Sequence, residues 1–276
     1  MGGQLVLVGT PIGNLSDLSP RALEALTACD FVAAEDTRVT LKLLTHFGIK
    51  KPLVSYFEHN KRERGEAIAR RIEAGETAVL VTDAGMPAIS DPGEDLVALC
   101  HRRGIPVTAV PGPTAVATAL ALSGLPVGRF SFEGFLSTAN KPRREHLESL
   151  RGERRTMVFY EAPHKLPATL QDLLAVLGDR RVTLARELTK LHEEIIPTTL
   201  SEAAARFAAD PPRGEFVLVV EGAADTPEQV PSPEEALTLA KGYMAEGLSA
   251  SEAAKRAAAA SGLHKGDIYK LLVNKE

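Results

Sequence analysis

The chain has 276 residues, 44% hydrophobic and 25% charged, with 32 lysines and arginines against 36 aspartates and glutamates, a formal net charge of −4. That balance excludes a largely disordered chain and a protein that coats nucleic acid by bulk charge, while leaving room for a local basic face. At roughly 150 residues per domain the length suggests about two domains, each able to bury a core without staples.

In chain order, short apolar runs alternate with helical patterns. Residues 4–9 (QLVLVG), 31–35 (FVAAE), 78–82 (AVLVT) and 106–110 (PVTAV) read as strands buried on both faces. Between them, Ser19-Pro20 is an N-cap with proline at the first helical position, and helices are expected over 37–47, 64–74 and 93–103, the last stopped by Gly104. The alternation predicts a mainly parallel sheet covered on both faces, with ligands bound beyond the carboxyl ends of its strands. After Pro111-Gly112-Pro113 a second series places strands at 130–135, 156–160, 182–187, 194–198 and 215–221, with helices at 143–150 and 165–177. Fewer helices per strand there predict a mixed or antiparallel sheet. Residues 223–233 read as a linker, and 233–247, 249–261 and 265–274 as three short helices stopped by Gly247 and Gly262. The predicted organisation is two α/β domains, 1–113 and 114–223, with a small helical tail over 232–276.

Cys29 and Cys100 lie far apart in apolar segments with no Cys-x-x-Cys pair, the pattern of buried, reduced thiols in a cytoplasmic protein. The first apolar run is too short for a signal peptide, Val6 stands where a myristoylation motif wants Ser or Thr, and no stretch reaches the length of a membrane span. His59, His164 and His192 have no metal-ligand spacing, so no metal is expected.

Three loops carry the chemistry. The first strand runs into GTPIGNL, which lacks the dinucleotide spacing G-x-G-x-x-G. Residues 81–93, VTDAGMPAISDPG, put Asp83 and Asp91, two glycines and two prolines at the carboxyl end of a strand. Pro111-Gly112-Pro113-Thr114-Ala115 follows the next strand in the same way, with small residues after it. A single cleft at one sheet edge is the expected meeting place of all three.

At these residues a resemblance enters. GTPIGNLSDLSPRA, AAEDTRVTLKLL, VTDAGMPAISDPG and AVPGPTA, followed by VSYFEHN, FEGFLS, VFYEAPHK and ARELTKLHEE, resemble in order the motifs of the tetrapyrrole methylase superfamily. Within it they are similar to the RsmI family, the cytidine 2′-O-methyltransferases of 16S ribosomal RNA. The tail, GLSASEAAKRAAAASGLHKGDIYKLL, is similar to that family's small carboxyl-terminal helical domain and has the length and turn placement of a helix-turn-helix.

The resemblance implies S-adenosylmethionine bound between two α/β domains, a homodimer, and a cytidine in the decoding region of 16S ribosomal RNA in the 30S subunit as acceptor. Carried onto this chain, the cofactor would contact Pro11, Asp83, Ala84, Gly85, Met86, Ile89, Thr114 and Ala115 from the first series, and Phe159, Tyr160 and Ala185 from the second. A sulfonium cation favours neighbouring carboxylates, which makes Asp83 the best anchor. Glu35, Asp36, Glu133, Glu161 and Glu187 are candidate bases for the ribose hydroxyl, with none assigned. Asn14, Arg38 and Arg186 are candidates to orient the acceptor or its phosphate. Residues 50–71 hold seven lysines or arginines against three glutamates and 141–155 hold six against three, two candidate phosphate-binding patches; the tail balances six acidic with six basic residues. Two other readings stay open: methylation of a porphyrin-like ring or another small-molecule or protein acceptor on the same fold, and a non-catalytic RNA-binding nucleotide sensor.

Overall fold

The four apolar runs of the first series form strands of one parallel sheet, which a fifth short strand joins. Leu5–Val8, Phe31–Ala34 and Ala78–Val81 are covered on both sides as expected, whereas Val107–Val110, at the sheet's edge, leaves Thr108 and Ala109 exposed because no strand flanks it on one side. The computed structural model describes residues 2–224 and 232–273. Strands β1 (Leu5–Val8), β2 (Phe31–Ala34), β3 (Leu53–Ser55), β4 (Ala78–Val81) and β5 (Val107–Val110) assemble in the order β3-β2-β4-β1-β5. All four pairings are parallel. Helices α1 (Pro20–Ala28), α2 (Thr37–His46), α3 (Lys61–Glu73) and α4 (Glu94–Arg102) cover them. One core joins Leu5, Phe31 and Leu80 with Ile68 and Leu96, and the other joins Val8, Val32 and Val79 with Leu26 and Leu44. The expected Ser19 cap is present, its Oγ accepting the Ala22 amide at 3.1 Å.

Helix α5 (Ala115–Leu122) leads into the second sheet. Strands β6 (Phe130–Phe135), β7 (Thr156–Glu161), β8 (Arg181–Arg186), β9 (Glu194–Thr199) and β10 (Phe216–Val220) lie in the order β6-β7-β10-β8-β9, with only β6 and β7 parallel. Helices α6 (Asn140–Ser149), α7 (Leu166–Leu177) and α8 (Leu200–Ala209) cover one face, burying Met157, Phe159, Leu184 and Leu218. The alternate residues Val158, Tyr160, Ala185 and Val217 face the other way and pack with Ala119 and Leu120 of α5 and with Ile12 from the first series.

Both sheets belong to one compact unit, Met1–Gly222; the boundary expected between Pro113 and Thr114 marks a change of sheet. The second unit, Ala223–Glu276, contains α9 (Pro233–Ala245), α10 (Ala250–Ser261) and α11 (Lys265–Val273). Its small core is built from Ala236, Ala240, Ala254, Ala257 and Ile268. Ser232 with Glu235 and Ser249 with Glu252 form capping boxes, and Gly262 ends α10 at φ +71°. Most of the expected linker, residues 225–231, and the expected helix end at Asn274 lie outside the described residues.

Candidate active site

The sheet order β2-β4-β1-β5 sets side by side the loops that leave those four strands. Backbone contact then locks them together. A Cβ built on Gly9 would stand 2.6 Å from the Gly112 Cα, so the loops after β1 and β5 touch with no side chain between them. The Thr10 amide donates to the Gly85 carbonyl at 2.9 Å and the Gly85 amide returns a bond to the Thr10 carbonyl at 3.1 Å, tying the loops after β1 and β4. Gly85 holds φ +88°, a conformation that other residues adopt only under strain.

Above this floor, between the two sheets, lies a cavity of about 480 Å³. Its first-sheet wall carries Glu35, Thr82, Asp83 and Asp91. The buried Thr82 hydroxyl donates to Glu35 Oε2 at 2.7 Å, and Asp83 Oδ1 accepts the Asp36 amide at 3.1 Å. Burial pushes the Asp83 carboxyl above its ordinary value, and the nearby charges of Glu35 and Asp36 push the same way. Asp91 is raised for the same reason, by burial first and then by Glu35 and Asp83. Asp36 behaves oppositely: the Arg38 side chain at 2.6 Å holds it at about 2.

The second-sheet wall carries Tyr160, whose hydroxyl accepts the Val116 amide at 3.1 Å and so satisfies a free donor in the first turn of α5. Beside it, the buried Glu161 carboxylate accepts the Ala162 amide at 2.9 Å and the Thr169 hydroxyl at 2.5 Å. Among the described residues, no group of three His, Cys, Asp or Glu side chains is placed to hold a metal ion.

Of the residues singled out from sequence, Asp83, Ala84, Gly85, Met86, Ile89, Thr114, Ala115, Tyr160 and Ala185 line this cavity, as do Glu35 and Glu161. Phe159 does not: strand alternation turns it, fully buried, into the helix-covered core. Pro11 yields its place in the wall to Ile12. Asp36 stands behind Asp83, reaching it through the backbone. Glu133 is bound to His146 at 2.8 Å and is not in the lining; nor is Glu187, which is held from behind by the lining residue Lys190 and by the amide of the lining residue Glu215. Asn14 caps a short 3-10 turn through the Ser16 amide, Arg38 pairs with Asp36, and Arg186 donates to the Arg213 carbonyl and pairs with Glu194. Sequence reasoning missed Thr82, Phe135, Leu188 and Lys190 in the wall, and did not count Asp91 among the site residues although it lies in the loop singled out.

Residues 4–204 match the family model of the Tetrapyrrole (Corrin/Porphyrin) Methylases. A protein of Synechocystis sp. named Ribosomal RNA small subunit methyltransferase I is 49% identical over 277 residues, covering 99% of this chain and 99% of that one. The chain belongs to the tetrapyrrole methylases, in the ribosomal RNA small subunit methyltransferase I family. A Thermotoga maritima member of that family is also 49% identical, over 220 residues that make up 99% of it and 80% of this chain. Among solved tetrapyrrole methylases, uroporphyrin-III C-methyltransferase from Thermus thermophilus, crystallised with S-adenyl homocysteine, shares the fold with a TM-score of 0.54 at 21% identity, over 79% of this chain and 97% of that one.

Proposed function

We propose that this protein is an S-adenosylmethionine-dependent methyltransferase that methylates the 2′-hydroxyl of a cytidine ribose in 16S ribosomal RNA of the small ribosomal subunit. The observation that carries this reading is the likeness, over 99% of both chains, to a protein named for methylating small-subunit ribosomal RNA. The cavity supports it. A volume of about 480 Å³ suits a nucleoside-sized cofactor. Asp83 supplies negative charge toward a sulfonium, Met86, Ile89 and Val217 supply an apolar wall toward adenine, and Gly85 lets the ligand approach the backbone.

When bound, the cofactor supplies a methyl group on a cationic sulfur that is already a good leaving group. The protein's task is then chiefly positioning and exclusion of water, which the two walls perform together. The ribose hydroxyl must also lose its proton. Glu35 in the wall accepts from Thr82, Glu161 accepts from Ala162 and Thr169, and Asp83 accepts from Asp36. Asp91 lines the same wall and also meets the Thr82 hydroxyl, and it is the group we assign to take that proton.

For RNA contact, Lys50, Arg62, Arg64 and Arg70 are exposed and form no ion pair among the described residues. In 141–155, by contrast, Arg143, Arg151 and Arg155 are spent on Asp172, Glu148 and Glu153. The exposed apolar residues Leu122, Val127 and Phe130, in one short stretch, suit burial against a second copy, and a homodimer is part of the proposal. A ribosomal substrate and two free, buried cysteines fit a cytoplasmic location.

The test incubates purified protein and labelled S-adenosylmethionine with undermodified 30S subunits, naked 16S RNA and a tetrapyrrole precursor. Label is expected on the 2′-oxygen of a cytidine in the 30S sample. Label confined to the tetrapyrrole overturns the reading, and cofactor binding without transfer to any acceptor favours a sensor.

A further inference from the structure

Strand β6 contains one residue more than its neighbour β7 can pair. Phe132 stands opposite Val158, but Gly134 is opposite Phe159 and Phe135 opposite Tyr160, so Glu133 is left over. Gly134 turns the chain at φ +63° to make the bulge. In a regular strand residues three apart point to opposite faces. Here Phe132 and Phe135 both meet the Tyr160 ring, edge-on, with centroids 5.0 and 5.5 Å away. The bulge thus turns Phe135 from the helix-covered face, where an apolar ring would be buried, to the cavity wall, where it is 61% exposed. The other aromatics of that wall are covered more fully, Tyr160 half-buried and Phe216 buried.

A large apolar ring held open to solvent forgoes burial that would stabilise the fold, and a bulge that re-aims it marks a use for the exposed face. We infer that Phe135 is the platform on which the base of the acceptor nucleotide stacks; this rests on the proposed reaction. A nucleotide in folded RNA must leave its stacked neighbours to bring its ribose into a cavity, and an aromatic face replaces the stacking it loses. Tyr160 fixes the plane of the platform and is itself fixed by the Val116 amide. Phe135 comes from the second sheet and Asp91, the group assigned to take the hydroxyl proton, from the first, and both line the cavity in which the cofactor is proposed to bind.

The test uses the full chain with undermodified 30S subunits and the variants Phe135→Ala, Phe135→Leu and Phe135→Trp. Four quantities are read: kcat/KM for 30S, calorimetric affinity for S-adenosylhomocysteine, sedimentation, and fluorescence of pyrrolocytidine placed at the acceptor position. Phe135→Ala and Phe135→Leu are expected to lose roughly fivefold or more in kcat/KM, with product affinity and sedimentation unchanged. Phe135→Trp keeps kcat/KM within about twofold. The fluorescence change on binding, which reports base stacking, is lost with alanine and kept with tryptophan. An unchanged kcat/KM in Phe135→Ala, or full activity in Phe135→Leu, overturns the platform. So does weakened product binding, which would assign the ring to the cofactor, or a smaller sedimenting species, which would assign it to a second copy. A wild-type protein inert toward 30S overturns the reaction itself, and is seen before any variant is made.

Discussion

The hydroxyl oxygen of Tyr160 lies 3.1 Å from the amide nitrogen of Val116, joining a strand of the second sheet to the helix that begins where the first sheet ends. Thr114, the N-cap of α5, makes no side-chain bond to that helix, so Tyr160 takes over part of the capping. Tyr160→Phe leaves the Val116 donor without its partner. It is expected to cost about 1 kcal/mol of stability, read as a lower Tm, and to weaken S-adenosylhomocysteine binding in calorimetry.

The raised carboxyl of Asp91 has a consequence for stability that can be given a sign. Its folded-state pKa lies above the ordinary aspartate value of 3.8, so the folded chain holds the proton more tightly than the unfolded one. Stability therefore falls as pH rises from the ordinary to the raised value, and the whole penalty stands above that window. Asp91→Asn, uncharged throughout, is expected to melt higher than the wild type near pH 7, the gain shrinking as pH falls toward about 4. Methyl transfer is lost in the same variant. Thermal melts across this range together with 30S assays check both.

Gly9→Ala tests the backbone lock beneath the cavity. The new methyl would lie 2.6 Å from the Gly112 Cα and 2.7 Å from its nitrogen, and backbone cannot rotate aside as a flexible side chain can. A loss of about 1–3 kcal/mol in denaturant unfolding is expected, with disproportionate loss of cofactor affinity as the β1 and β5 loops part.

The exposed cations of α3 should be felt by RNA and those of 141–155 much less. Replacing Arg62, Arg64 and Arg70 together by alanine is expected to weaken 30S binding and to flatten its dependence on salt, by roughly one unit of log–log slope for each phosphate no longer neutralised. Arg155→Ala, which removes a partner of Glu153, leaves that slope unchanged. Filter binding across a salt series separates the two.

The loops that make the site are legible in the sequence because parallel strands buried on both faces read as unbroken apolar runs, which mark where each loop begins. Strand β3 is not: it has three residues, all half-buried, at the sheet's edge, and offers no period to read. Helix α8 also escapes the sequence reading, although Pro197 and the Thr199 cap, which accepts the Glu202 amide, mark its start. Within the site, neighbouring aromatics are not separated by sequence: Phe159 and Tyr160 are adjacent in the chain but belong to opposite faces. Phe135 is hidden more deeply, since a bulge breaks the alternation from which facing is inferred. Thr82 gives no signal of its own, and its part appears only once β2 and β4 lie side by side.

The strand order that gathers Thr10, Glu35, Asp83 and Gly112 at one edge draws them from points scattered along the first hundred or so residues, and the opposite wall from Tyr160 and Val217 comes later still. No early fragment emerging from a ribosome can contain even a rudimentary version of the cavity. The site is among the last things the chain completes, assembled by contacts of long sequence separation that form slowly. Whatever occupies it therefore binds only the finished unit and, by mass action, holds both sheets closed against unfolding.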